Sequence, residues 1–214
     1  MVNLIEIKKE INSKSLDLSS KVKIIAVSKT FSIENILPLI DYGHLDFGEN
    51  KVQEAVDKWT DIKNNKKDLK LHMVGKLQTN KVKQAVKLFD YIHSLDSLKL
   101  AKKISEEQKK IKKSIKIFIQ INIGDENQKS GIKIDELPNF YNSCIKDYKL
   151  DVIGLMCLPP INLDPTESFK KMRQESKSLS LNELSMGMSS DYLTAIKFDA
   201  SFVRIGSKIF GKRN

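Results

Sequence analysis

At 214 residues, 40% hydrophobic and 30% charged, the chain is long enough to bury the core of one large domain spanning 1–214 and too apolar for wholesale disorder. Its net charge of +10 invites a nucleic-acid role, but 34 of its 37 basic residues are lysines in a Lys-, Asn- and Ile-rich composition, without the arginine forks and interleaved aromatics of a base or phosphate reader. No apolar run approaches the roughly 18 residues of a membrane-spanning helix, the N-terminus lacks the apolar core of a secretion signal, and two cysteines make no disulfide framework, so a cytoplasmic, reducing setting with no membrane and no nucleic-acid partner is expected.

Leu4, Ile7 and Ile11 recur at helical spacing and predict a leading helix over 4–11. The apolar run 23–29 is the first strand candidate. Ile33, Ile36, Leu37 and Ile40 then mark one face of a helix, with Ser32 as its N-cap. Strand 45–49 precedes a second stripe at Val52, Ala55, Val56 and Trp59. The Lys/Asn-rich run 63–70 reads as a solvated turn before strand 69–75. Val82, Ala85, Val86 and Phe89 give a third stripe before strand 91–95. Strand 115–122 is followed by the stripe Leu137, Phe140, Tyr141, Cys144, Ile145 and Tyr148, which makes Cys144 a core residue. Strands 151–156, 183–187 and 201–205 complete the series, with Ser189 as a second N-cap candidate.

Eight strands alternating with helices predict a parallel sheet. Eight repeats in about 200 residues fit a closed (β/α)8 barrel preceded by one helix. An open doubly wound sheet is the alternative, but its glycine-rich first turn is replaced here by Ser28-Lys29-Thr30-Phe31.

In such a barrel the chemistry lies at the C-terminal ends of the strands. Lys29 ends the first strand, where desolvation and a nearby cation lower an amine's pKa toward that of a Schiff-base nucleophile; in a chain of 34 lysines the competing reading is a solvated surface residue. Arg204 sits in the last strand between Val203 and Ile205. A buried guanidinium needs a partner, either a carboxylate such as Glu49 or an acceptor on a ligand such as a pyridine nitrogen. Ser185, Gly187, Ser189, Gly206 and Ser207 cluster around the last two loops, where barrels hold phosphates. An amine, a strand arginine and a phosphate cradle on one face suit an aldehyde-bearing phosphorylated pyridine, pyridoxal 5′-phosphate. His44, His72 and His93 lie in different segments without ligand spacing, so no metal site is expected. Cys157 follows Met156 and is a residue that could approach the ring.

Several stretches along the chain resemble one family: 26–30 (Ala-Val-Ser-Lys-Thr), 47–50 (Phe-Gly-Glu-Asn) with Gln53-Glu54, His72 to Gly75 with 77–81, Gln120-Ile121-Asn122 with Lys129-Ser130-Gly131, Gly154-Leu155-Met156, Leu184 to Ser189, and Val203-Arg204-Ile205-Gly206 with Ile209-Phe210-Gly211. In these the sequence is similar to the pyridoxal phosphate homeostasis proteins, once called proline synthase co-transcribed bacterial homologues. The resemblance implies an alanine-racemase-like N-terminal barrel standing alone. It implies an internal aldimine between cofactor and Lys29, Arg204 facing the pyridine nitrogen, the phosphate near Ser185, Met186, Gly206 and Ser207, and Asn50 and Met156 lining the ring. Lys129 matches a lysine linked to a second, looser cofactor contact; as a loop lysine it equally reads as solvated surface. Leu71 and Lys51 stand where aromatics are usual, Asp199 replaces a glycine before the last strand, and Ser207 replaces a threonine while keeping the hydroxyl.

A permanent cation at the ring nitrogen disfavours a protonated pyridine and weakens the electron sink of carbanion chemistry. Racemases of the related fold also use a tyrosine from a second, all-β domain as opposite-face acid/base. The chain ends eight residues after Gly206 and leaves no room for one; Tyr91 and Tyr192 remain without an assigned place over the ring. The expectation is therefore a monomeric, non-catalytic carrier that buffers the cofactor and delivers it to apo-enzymes. The alternatives are a small racemase or lyase using the same cofactor, a cofactor-free Schiff-base aldolase, and a basic nucleic-acid binder.

Overall fold

A computed structural model of the chain describes residues 2–14, 22–124, 130–160 and 163–211. The alternation read from the sequence is realised in order: α1 (Val2–Lys14), β1 (Lys23–Val27), α2 (Ile33–Asp41), β2 (Asp46–Glu49), α3 (Val52–Asn65), β3 (Lys70–Met73), α4 (Val82–Leu88), β4 (Tyr91–Leu95), α5 (Leu98–Ile111), β5 (Lys116–Ile121), α6 (Leu137–Lys146), β6 (Asp151–Cys157), α7 (Thr166–Ser178), β7 (Glu183–Ser185), α8 (Tyr192–Ile196), β8 (Phe202–Ile205) and α9 (Ser207–Phe210). The eight strands are parallel neighbours in chain order, and β1 also pairs with β8, so the sheet closes into a barrel. A closed barrel leaves no edge strand to protect. The open doubly wound sheet is excluded.

Strand period two divides the strands' side chains between two apolar regions. Outward-facing residues such as Ile24, Ala26, Phe47, Ile117 and Val203 pack against the helices in the larger core, with Trp59 and Phe89 fully buried there. Inward-facing Ile25, Val27, Tyr91, Phe118, Met156 and Phe202 form a smaller cluster in the lumen. α1 joins the outer core through Leu4, Ile7 and Ile11, as its spacing predicts. In α2 the stripe differs from expectation: Leu39 is buried beside Ile36 and Ile40, whereas Leu37 is exposed. Ser32 does precede α2, but its hydroxyl accepts from the Asn35 side chain rather than capping the helix backbone. Ser189 is not the N-cap of α8, a position taken by Asp191. No helix among the described residues is long and apolar enough to cross a membrane.

Candidate functional site

A cavity of about 780 Å³ opens at the C-terminal ends of the strands. Its wall is built in strand order. Val27 and Lys29 come from β1 and its turn, Asn50 follows β2, and Val74, Gly75 and Lys76 follow β3. Gln120, Ile121, Asn122 and Ser130 stand at β5, Leu158 and Pro159 after β6, Met188, Ser189 and Ser190 after β7, and Arg204, Gly206 and Ser207 at β8. Of the residues singled out from the sequence, Lys29, Asn50, Ser189, Arg204, Gly206 and Ser207 therefore meet in one wall.

Lys29 continues the inward parity of Ile25 and Val27, which is why a lysine ending this strand lines the barrel mouth. Its turn is constrained. Thr30 holds a left-handed φ of 68°, a conformation costly for a β-branched residue. The Thr30 N–H donates to Glu54 Oε1 at 2.6 Å. Lys58 Nζ donates to the Ser28 carbonyl at 3.0 Å, to Glu49 Oε1 at 3.0 Å and to Glu54 Oε1 at 3.1 Å. Ser28 Oγ and Trp59 Nε1 also donate to Glu49 Oε1, at 2.8 and 2.9 Å. Glu49 Oε2 is buried and, among the described residues, has no partner. For Glu54, burial would raise the pKa, but the Thr30 N–H and the Lys58 charge outweigh it and hold the carboxyl below its usual value. Helix α3 thus clamps the Lys29 turn from outside the barrel wall.

Arg204 is buried in the lumen. Its Nη1 donates to Ser185 Oγ at 2.7 Å and its Nη2 to the Cys157 carbonyl at 2.8 Å. Glu49 is not its partner: that carboxylate faces α3 on the other side of the wall. Burial lowers the Arg204 pKa, opposed by Cys157 and Asp191. The guanidinium keeps its charge in any case, and three of its five donors are not taken up by these two bonds.

Three residues expected at the ligand do not line the cavity. Ser185 is fully buried with its hydroxyl between Arg204 and His93, Met156 packs in the lumen cluster, and Met186 belongs to the outer core. Lys129 lies outside the described residues. Cys157 is absent from the lining; burial pushes its thiol up to about 12, against the opposing effect of Arg204. Burial likewise pushes Cys144 up to about 12. Tyr91 stacks on His72 in the lumen, and Tyr192 bonds to Glu10 and Lys208; neither lines the cavity. His72 and His93, far apart in sequence, are hydrogen-bonded at 3.0 Å, and among the described residues no group of three or more potential ligands could hold a metal ion.

The loop after β7 supplies Met188, Ser189 and Ser190, of which only Ser189 was singled out from the sequence. Gly187 makes that loop possible: its φ is 91°, and a Cβ there would sit 2.7 Å from the Ala195 Cβ, so only glycine lets the chain turn flat against α8. Ser189 Oγ accepts from the Lys208 N–H at 3.3 Å and so joins this loop to the start of α9. Opposite, Gln120 Nε2 donates to the Ser130 carbonyl at 2.9 Å and fixes that side of the mouth. Strand parity carried past the strand ends, from His72 to Val74 and from Gln120 to Asn122, puts Val74 and Asn122 on this wall.

The alanine racemase N-terminal domain family matches residues 2–214. A relative from Pasteurella multocida named pyridoxal phosphate homeostasis protein is 36% identical over 205 residues, covering 91% of this chain and 88% of the relative. One of the same name from Escherichia coli K12 is 34% identical over 203 residues, covering 91% and 87%. PipY of Synechococcus elongatus, solved with PLP bound, superposes with a TM-score of 0.84 at 32% identity, covering 96% of this chain and all of that one. An alanine racemase of Clostridium difficile has a TM-score of 0.76 at 15% identity and is covered over 57% of its length; that likeness concerns the fold alone.

Proposed function

We propose, given that this chain belongs to the pyridoxal phosphate homeostasis protein family, that it binds pyridoxal 5′-phosphate covalently through the Lys29 amine and serves to buffer and deliver the cofactor. The observation that carries this reading is the convergence of Lys29, Arg204 and the Ser189, Gly206 and Ser207 loops on one cavity wall. The donor set fits the group: an amine for an aldehyde, a guanidinium for a ring acceptor, and hydroxyls with close-approaching glycine backbone for a phosphate. When bound, the cofactor supplies an electrophilic aldehyde carbon. Lys29 supplies the nucleophile, its turn held by α3. Arg204 would hold the ring by donating a hydrogen bond, its fixed charge disfavouring protonation of the ring nitrogen, and Asn50 would line the wall on the cofactor's side.

The non-catalytic part of the reading rests on the ionisable groups of the wall. Among the described residues these are Lys29, Lys76 and Arg204, with no carboxylate, imidazole or phenol. A second proton-transfer group of the kind that two-face exchange needs is not among them. The reading has one barrel domain acting as a monomer in the cytoplasm, with apo-enzymes as transient acceptors.

Borohydride reduction of the loaded protein followed by peptide mass mapping tests it. A single pyridoxyl adduct on Lys29, lost in Lys29→Ala, is expected. Adducts scattered over surface lysines and unchanged by that substitution would overturn the site. Racemisation, decarboxylation or transamination by the purified protein would overturn the carrier reading in favour of a small enzyme.

A further inference from the structure

The lumen holds a continuous line of polar side chains that neither binds the cofactor in the reading above nor belongs to the apolar cluster. Asp46, at the start of β2, places Oδ1 3.0 Å from His72 Nε2 on β3. His72 Nδ1 lies 3.0 Å from His93 Nε2 on β4. His93 Nδ1 lies 2.8 Å from Ser185 Oγ on β7, across the lumen. Ser185 Oγ accepts from Arg204 on β8. The line therefore runs from the N-terminal end of the strands to the cavity at the C-terminal end.

The direction of every bond is fixed by chemistry. An ionised carboxylate only accepts, so His72 must carry its proton on Nε2. A neutral imidazole then has an acceptor at Nδ1, so His93 must donate from its own Nε2. That leaves His93 Nδ1 as an acceptor, and the Ser185 hydroxyl must donate to it. The Ser185 oxygen is left with a lone pair, which is what the Arg204 N–H requires, because a guanidinium only donates. Deduced from the Asp46 end with both rings neutral, the pattern closes without a conflict. Burial disfavours the charged form of both rings. It lowers the pKa of His72, opposed by Asp46 and Asp90 and reinforced by Lys23. It lowers that of His93 further, with the Arg204 charge, and any charge on His72, acting in the same direction. For Asp46, burial would raise the pKa, but the His72 hydrogen bond and nearby positive charge hold it below the ordinary value. Aromatic faces shield the line: His72 stacks on Tyr91 and His93 on Phe118, each at 4.3 Å between centroids. In a buried lumen such bonds polarise one another.

We propose that Asp46, His72, His93 and Ser185 form a one-directional hydrogen-bond relay that positions Arg204 for its ligand from the far end of the barrel. They are positioning residues, since none of the four lines the cavity. For the identity of the ligand this rests on the cofactor reading above; the relay itself is tested in the chain without added ligand.

The chain has three histidines and three arginines, so selective 15N labelling gives a sparse spectrum. Long-range proton–nitrogen correlation on the full ligand-free chain at neutral pH is expected to show His72 and His93 both as neutral Nε2–H tautomers, and Arg204 with two resolved, slowly exchanging Nη signals. An Nδ1–H tautomer or a charged ring at either histidine would overturn the relay, and this wild-type result decides without any variant. Asp46→Ala is expected to shift the signals of His93 and Arg204 as well as those of His72. A perturbation that stops at His72, as a merely local packing role gives, would overturn it. Ser185→Ala is expected to merge the Arg204 Nη signals and Ser185→Thr to keep them apart; retention in both would also overturn it. The two readings fail separately: expected tautomers with no adduct on Lys29 keep the relay and remove the cofactor, and an adduct with the wrong tautomers does the reverse.

Discussion

Asp199 shows what one position contributes. Its φ of 65° lies in the left-handed region, where a residue with a Cβ is strained by up to about 1–2 kcal/mol and Asp is among the better tolerated. The resemblance leads one to expect glycine there, and the strain explains why. The side chain compensates through an ion pair with Arg173 at 2.5 Å, partly exposed on both sides and so worth no more than about 1 kcal/mol. The two effects oppose each other and can be separated. In an Arg173→Ala background, Asp199→Gly is expected to raise the urea-unfolding free energy by about 0.5–1 kcal/mol, the strain relieved less the entropy glycine adds to the unfolded chain. A loss in that background would contradict a strained backbone at this site.

At the scale of elements, the turn after β1 and helix α3 act together. Glu49 is fully buried and its Oε1 takes three donors, one of them the Lys58 ammonium. Removing only the cation leaves a buried carboxylate uncompensated, which costs about 3 kcal/mol. Lys58→Met is expected to lose stability of that order in urea titration, and to slow the reaction of Lys29 with added PLP in a stopped-flow absorbance trace. Adding Glu49→Gln to Lys58→Met is expected to recover part of the stability. No recovery would mean that packing of the Lys58 stem, not charge, dominates.

The same scale shows what could be read from residues alone. The eight strands were legible because each is a short apolar run between turn residues. Helices α5 and α7 left no clear stripe: Ser105 and Gln108 interrupt the buried face of α5, and Ser176 that of α7. Lys29, Asn50, Arg204, Gly206 and Ser207 were legible because strand ends in a closed barrel converge. Met156 on β6 and Ser185 and Met186 at β7 belong to other strands of the barrel, where depth and parity put them below the cavity or outside the wall. The line from His72 to Ser185 was not legible, since β4 and β7 face each other only once the sheet closes.

For the whole molecule, the three buried histidines set an acid limit. Burial lowers His44 to about 4, chiefly by desolvation, with Asp46 opposing. His72 and His93 are lowered as well. A histidine whose folded pKa lies below its unfolded value near 6.5 costs nothing above that value. Below it, the unfolded chain binds protons that the folded chain refuses, so stability falls with pH. His44 alone removes about 2 kcal/mol at pH 5 by this linkage, and His72 and His93 act in the same direction. Asp46, held low in the fold, also favours the folded state least in acid. Urea-unfolding free energies are expected to be flat from about pH 7 to 8 and to drop steeply between 6.5 and 4. A profile flat down to 5 would show that the rings are protonated in the native state.

Trp59 is the sole tryptophan of the chain, and its indole N–H donates to the same Glu49 oxygen that receives Ser28 and Lys58. The molecule thus carries one indole fluorophore, wired by two hydrogen bonds to Ser28, the residue preceding Lys29. Its emission is expected to report on the turn that carries Lys29, so that loading and release by the proposed route would be followed in real time without a label, in unmodified protein.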